Sequence, residues 1–318
     1  MPSFAQTIIV VFSLIALGYA AAGVKLIRPS TGEGLADFVF TVALPLLLFR
    51  TIVHSEFDHG LPLLLWLTYF TAVFSTWALG HTLLRAFFGR DVRGGVVAGV
   101  TASFSNLLLI GVPFITGIYG DKGLALLSQI LSIHLPIMMA VSIIAFDYGL
   151  RRDGLAERSA GPVALARNFL RQLLANPLII GIFAGLVVRI TGLPIPEVAD
   201  RVILSLGSAG GPLALFSMGI SLFGYGIRGQ IASSLVLVGL KLLVMPAAAL
   251  AVALALGLPE LTAKVVVVAA SLPAGANTWL IATRFGTGQR LASTSMTIGT
   301  ALAALSSGVW LMVVERIF

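Results

Sequence analysis

Two short polar stretches interrupt long apolar runs, and both carry the same residue types. One reads Ala102-Ser103-Phe104-Ser105-Asn106-Leu107-Leu108-Leu109-Ile110-Gly111-Val112-Pro113, the other Ala270-Ser271-Leu272-Pro273-Ala274-Gly275-Ala276-Asn277-Thr278. Proline inside a helix removes one backbone hydrogen bond and clashes with the preceding turn, at a cost of about 3 kcal/mol. Gly111, Pro113, Pro273 and Gly275 therefore mark expected helix breaks. A break leaves N–H groups free at the start of the next half-helix, and their partial positive charge suits an anion. An asparagine amide donates and accepts without carrying charge. Asn106 and Asn277 are thus candidate ligands for a carboxylate, with Ser103, Ser105 and Ser271 beside them. The alternative is that both asparagines only satisfy broken backbone or join neighbouring helices.

Ionisable residues inside apolar runs are costly and mark function by default. Lys241 lies mid-run in Gly239-Leu240-Lys241-Leu242-Leu243-Val244-Met245-Pro246, and His134 is central in another run beside Pro136. Lys241 either attracts an anionic substrate or pairs with a carbonyl. His134 is either a substrate or proton-coupling group or a hydrogen-bonded structural imidazole. Arg50 and His81 lie nearer run ends and are expected to reach the interface. No Asp or Glu sits deep in any run, since Asp37 and Asp147 are terminal. Carboxylate proton relays, carboxylate-bound sodium and cationic substrates are disfavoured. The chain has no cysteine, which excludes disulfides, zinc–thiolate sites and iron–sulfur clusters. His54, Asp58 and His59 share one loop without a ligand set, so a solvated loop and no metal or cofactor is expected.

The elements that must position these groups follow from hydropathy. Hydrophobic residues make up 58% of the 318 positions and charged ones only 10%. A soluble domain carries about a quarter charged residues. The apolar stretches are continuous and have the length that crosses a hydrocarbon core. Ten are read, near 4–24, 35–53, 61–84, 95–118, 123–147, 172–191, 202–223, 233–256, 263–284 and 291–314. The fold class is therefore an all-α membrane protein. Ala20-Ala21-Ala22 resembles a cleavage site, but no basic residue precedes the first run, which favours an uncleaved helix.

Basic residues set the orientation. Loops after odd spans hold thirteen: Lys25, Arg28, Arg85, Arg90, Arg93, Arg151, Arg152, Arg158, Arg167, Arg171, Arg228, Arg284 and Arg290. Loops after even spans and the C-terminal end hold six: Arg50, Lys122, Arg189, Arg201, Lys264 and Arg316. Odd loops are expected in the cytoplasm and both termini outside. The net charge of +7 is thereby a topology signal, and no nucleic-acid partner is implied. The lipid bilayer is the expected surroundings.

The two halves share sequence at a nearly constant offset. Pro45-Leu46-Leu47-Leu48-Phe49 matches Pro212-Leu213-Ala214-Leu215-Phe216, Tyr119-Gly120 matches Phe285-Gly286, and Leu124-Ala125 matches Leu291-Ala292. Residues 1–147 and 172–318 form two five-span repeats in this reading, joined by a cytoplasmic linker at 148–171. Five is odd, so the repeats are inverted, an architecture of transporters whose substrate site lies where corresponding broken helices meet. Pro113 falls against Trp279 at this offset, so the two breaks do not superpose strictly.

At these residues the chain resembles the auxin efflux carrier family, which includes plant auxin carriers and bacterial homologues labelled malonate transporters. The resemblance rests on Ala43-Leu44-Pro45-Leu46-Leu47-Leu48-Phe49, Ser105-Asn106 with Gly111-Val112-Pro113, and Asn176-Pro177-Leu178. It rests equally on Pro212 to Gly219, on Lys241 with Pro246, and on Ser271 to Asn277. It implies a ten-helix fold like that of bile-acid sodium symporters, with a scaffold of spans 1, 2, 6 and 7. The other spans would move elevator-fashion, spans 4 and 9 crossing at their breaks. It further implies a homodimer, and it puts Asn106 and Asn277 where the family's asparagines bind the substrate carboxylate. The short central loop, unlike the long one of plant members, points to a bacterial inner-membrane member. The expectation is a secondary transporter of a small organic anion, with a proton or sodium as the candidate coupling ion. An intramembrane enzyme and an anion channel or sensor are the rival classes.

Overall fold

A computed structural model describes residues 2–54, 62–155, 162–227 and 229–318. Asp58, His59, Arg158 and Arg228 lie outside the described residues. The chain is all-helical, 87% helix, with no strand among the described residues. Apolar runs of this length satisfy their backbone polar groups within the segment only as helices.

Fourteen α-helices follow in order: α1 Pro2–Gly23, α2 Pro29–Phe38, α3 Leu44–His54, α4 Leu63–Phe88, α5 Val92–Ser103, α6 Val112–Arg152, α7 Pro162–Leu174, α8 Pro177–Thr191, α9 Glu197–Tyr225, α10 Ile231–Gly239, α11 Met245–Ala255, α12 Glu260–Ser271, α13 Ala276–Arg284 and α14 Gln289–Ile317. Among the described residues, seven continuous helical segments are long and apolar enough to cross a membrane. Gly120 interrupts α6 with φ 61° and ψ −155°, dividing the stretch the sequence separates into spans at 95–118 and 123–147. The polar insertion after residue 147 is largely helical as well, since α6 continues to Arg152 and α7 starts at Pro162.

Among the described residues, three wide π turns join helices: Val39–Ala43, Leu107–Gly111 and Leu240–Val244. Each ends two residues before a proline, Pro45, Pro113 or Pro246. Proline cannot donate to the carbonyl four residues back, and a widened turn gives that carbonyl room for another partner. At Pro246 the partner is visible: Trp310 Nε1 donates to the Leu242 carbonyl at 2.8 Å.

The chain divides into two compact units, neither of which is a contiguous half. The first comprises Met1–Leu61, Leu108–Ser132 and Leu170–Gly224. Within it, α1 meets α9 and α3 meets α8 backbone to backbone. A Cβ on Gly219 would collide with the Ile15 carbonyl, and one on Gly181 or Gly185 with the carbonyl of Pro45 or Phe49. Small residues allow such close approach between apolar helices. Arg50, near the end of α3, pairs with a carboxylate in the first turn of α9. Its Nε and Nη2 hold both carboxylate oxygens of Asp200 at 2.9 and 3.1 Å, and His54 Nε2 joins at 3.1 Å. His54 thus ends α3 within hydrogen-bond reach of Asp200, its side chain about half exposed.

The second unit comprises Pro62–Leu107, Ile133–Phe169 and Tyr225–Phe318. Here α4 lies close against α5, because a Cβ on Gly80 would meet Ala102 and one on Gly99 would meet the Trp77 carbonyl, each at 2.8 Å. His81 stacks on Trp77 with ring centroids 5.4 Å apart. Two short helices, α5 and α12, form the unit's interior. Gly94 to Ser103 of α5 and Ala263 to Ser271 of α12 are buried without interruption.

Candidate functional site

The buried half-helix α5 is held at its start by two carboxylates. Asp91 accepts from Gly94 N at 2.7 Å, while Asp153 accepts from Val92 N and Arg93 N at 3.1 Å and from Arg93 Nε at 2.9 Å. Burial works against the charge of Asp153, but the backbone donors and the guanidinium outweigh it and hold its carboxyl below the usual range. The helix stops at Ser103, after which Phe104 is extended with φ −82° and ψ 94°. The second half-helix, α12, stops at Ser271, and Leu272 is extended with φ −66° and ψ 149°.

The two interruptions meet. Ser105 and Ala274 form an antiparallel bridge. Asn106 N donates to the Pro273 carbonyl at 2.8 Å, and Gly275 N donates to the Phe104 carbonyl at 3.0 Å. Each break supplies the donor that the other break's freed acceptor needs, so both chains leave helix geometry without an unpaired group at these positions. Gly275 permits the approach, since a Cβ there would lie 3.2 Å from Asn106 Cα. It also leads into α13, whose N-terminus no side chain caps.

Several expected site residues gather at this crossing. Asn106 is buried beside the bridge, and Asn277 is half-buried in the first turn of α13. Pro273 and Gly275 are in the second break itself. Ser105 is buried, and its Oγ pairs with the Tyr69 hydroxyl. Ser103 and Ser271 are adjacent but turned back on their own helices, Ser103 Oγ to Gly99 O at 2.9 Å and Ser271 Oγ to Val268 O at 2.8 Å. Their hydroxyl protons are therefore committed to backbone.

Gly111 and Pro113 are not where the first helix breaks. Gly111 closes the π turn Leu107–Gly111 and Pro113 is the second residue of α6. The wide turn absorbs the proline, and the break falls earlier, at Phe104-Ser105-Asn106, which contains neither Pro nor Gly. Lys241 is buried, with Nζ donating to the Ala270 carbonyl at 2.6 Å and lying 3.2 Å from Met245 Sδ. It thereby caps the negative end of α12. His134 is buried edge-on to Phe104, with ring centroids 4.6 Å apart.

Some of the neighbourhood was not singled out from sequence. A crevice beside the bridge is lined by Thr101, Lys241, Ala274 and Ser295 among others, and has no room for a water molecule. A larger cavity of about 430 Å³ is lined by Trp279, Gln289, Arg290 and Ser293 at the junction of α13 and α14. Trp279 is held there against Tyr225, with centroids 5.0 Å apart. The signal for this cavity was the pairing of an aromatic residue with a loop arginine, which Arg290's use as a topology marker hid.

A family model described as "Membrane transport protein" matches residues 3–311. The chain belongs to that family, the one that includes the auxin efflux carriers. Auxin efflux carrier component 8 of Arabidopsis thaliana is 25% identical over 90% of each chain. An "Uncharacterized transporter" of Methanothermobacter thermautotrophicus is 24% identical over 97% of each. The "Putative malonate transporter" of Rhizobium meliloti is 25% identical over 92% of this chain and 90% of its own. The protein is accordingly an integral membrane transporter and not an enzyme.

Proposed function

We propose that this protein is a secondary carrier for a small carboxylate or dicarboxylate, bound at the crossing by Asn106, Asn277 and the uncapped start of α13. The observation that carries the proposal is the reciprocal backbone bridge, which brings two polar, asparagine-bearing breaks together in a buried interior. Relatives named for auxin and for malonate support a carboxylate, because one molecule is a carboxylate and the other a dicarboxylate. Arg290 in the cavity beside Trp279 adds a cation on the approach to α13.

The reading extends to architecture. Counting each broken or π-jointed pair as one span, dividing α6 at Gly120 and leaving the amphipathic α7 in the linker fits ten spans in two inverted repeats, with the breaks in the fourth and ninth. The thirteen-to-six bias of basic residues favours both termini outside, in a bacterial inner membrane. The compact units support an elevator in most spans: the first holds spans 1, 2, 6 and 7 together with Leu108–Ser132 of spans 4 and 5, the second spans 3, 8, 9 and 10 with the start of span 4 and the end of span 5. A homodimer completes the proposal by family likeness.

The test is counterflow of radiolabelled malonate and indole-3-acetate in proteoliposomes. Asn106→Ala and Asn277→Ala should each lower exchange about tenfold or more, the loss of one hydrogen bond to a charged group. Wild-type exchange in both variants would sink the site.

A further inference from the structure

Behind the first break lies a polar cluster that anion binding does not use. His134 from α6 is walled by Phe104 at 4.6 Å, Tyr69 at 5.5 Å and Phe70 at 6.4 Å between ring centroids. Neither imidazole nitrogen has a hydrogen-bond partner, while the neighbouring Tyr69 hydroxyl pairs with Ser105. All three residues are buried. Orphaned buried polar atoms are rare and call for a reason.

The charges facing this cluster are few. From α4 comes Tyr69, from α6 His134 itself, and from the π turn Leu240–Val244 comes Lys241, which bears on the imidazole electrostatically. The break contributes Ser105, α12 only the Ala270 carbonyl that Lys241 holds, and α14 the Ser295 hydroxyl of the adjoining crevice. No Asp or Glu is buried among the described residues. The contrast with Lys264 is direct, because that lysine reaches Glu260 at 2.7 Å and Glu315 at 3.0 Å.

Two basic groups in a dry interior without a carboxylate cannot both be cationic, since each charge is costly and like charges repel. An anion arriving at the adjacent crossing would supply the missing counter-charge. Linkage is reciprocal, so whatever makes the anion favour a proton makes the proton favour the anion to the same degree. We propose that His134 and Lys241 form a proton-binding site that fills together with the anion, making the carrier an anion–proton symporter. The proton enters from water on the side where the anion binds and returns to water where the anion leaves. The inference rests on the crossing being the anion site.

The experiment uses the same proteoliposomes with a pH-sensitive dye inside. Wild-type uptake should acidify the lumen and accelerate at least tenfold under an inward proton gradient. His134→Gln, which cannot titrate in the working range, should weaken counterflow by the coupling it removes and should lose gradient-driven uptake and acidification altogether. Should that variant not fold, Lys241→Gln carries the same expectation. Gradient-driven uptake that persists in the variants reflects protonation of free malonate and overturns the proposal, as does wild-type uptake indifferent to the gradient. A wild-type protein that exchanges neither malonate nor indole-3-acetate overturns instead the reading of the crossing on which this one stands.

Discussion

The two breaks at the crossing look alike in space and differ in origin. The second, Leu272 to Gly275, holds Pro273 and Gly275, and its sequence alone would end a helix there. The first, Phe104-Ser105-Asn106, has no such residue, yet it leaves helix geometry just as sharply. Its extended form is stabilised by its partner, through Asn106 N on the Pro273 carbonyl and Gly275 N on the Phe104 carbonyl. One break is written locally and the other is templated. An unpaired backbone group in lipid costs several kcal/mol, so each is stable only with the other present.

The largest test of this asymmetry is Gly275→Val. A Cβ there already lies 3.2 Å from Asn106 Cα, and the branched side chain must push the strands apart. Overpacking of about 1–3 kcal/mol plus two weakened bonds of about 1 kcal/mol each is expected. The thermal midpoint in detergent should fall sharply and malonate counterflow should vanish; an unchanged midpoint would refute the templating idea.

Asp153→Asn comes next, because it weakens only the half-helix with the templated break. Loss of the carboxylate that receives Val92 N, Arg93 N and Arg93 Nε should cost about 1–2 kcal/mol. The carboxyl is held below its ordinary value in the folded protein. Its stabilisation is therefore fully present above the unfolded value of about 3.9 and is lost as pH falls through the lower folded value. The midpoint of the wild type should drop more steeply below about pH 4 than that of the variant. Parallel acid curves would count against the assignment.

Pro273→Ala should have the smallest effect. If the bridge rather than the ring maintains the break, the carbonyl at position 273 still accepts from Asn106 N. Counterflow within about twofold of wild type and a midpoint shift of less than about 1 kcal/mol are expected. Collapse of either would mean that the ring itself holds the break open.

The same contrast explains what the sequence could disclose. Pro273, Gly275 and the apolar runs act through rules local to a few residues, so they were legible. Pro113 looked like a break for that reason, but the π turn before it takes up the missing donor. The true first break was hidden because its cause lies about 170 residues downstream in a sheet-like contact no local rule anticipates. Asp153 and Asp200 were passed over similarly: their partners, Arg93 and Arg50, are remote in sequence. Tyr69 was invisible because one aromatic hydroxyl in an apolar helix reads as packing until its burial is known.

The burial of α5 has a consequence for how the chain is made. Twelve residues reach about 18 Å, well short of a hydrocarbon core of about 30 Å. At about 5–20 residues per second, roughly ten to thirty seconds separate synthesis of Phe104 from that of Gly275. Throughout that interval the first break has no strand to pair with. The earlier helices must therefore shelter an unfinished seam, and the order of translation, not only the final contacts, becomes part of what the sequence has to solve.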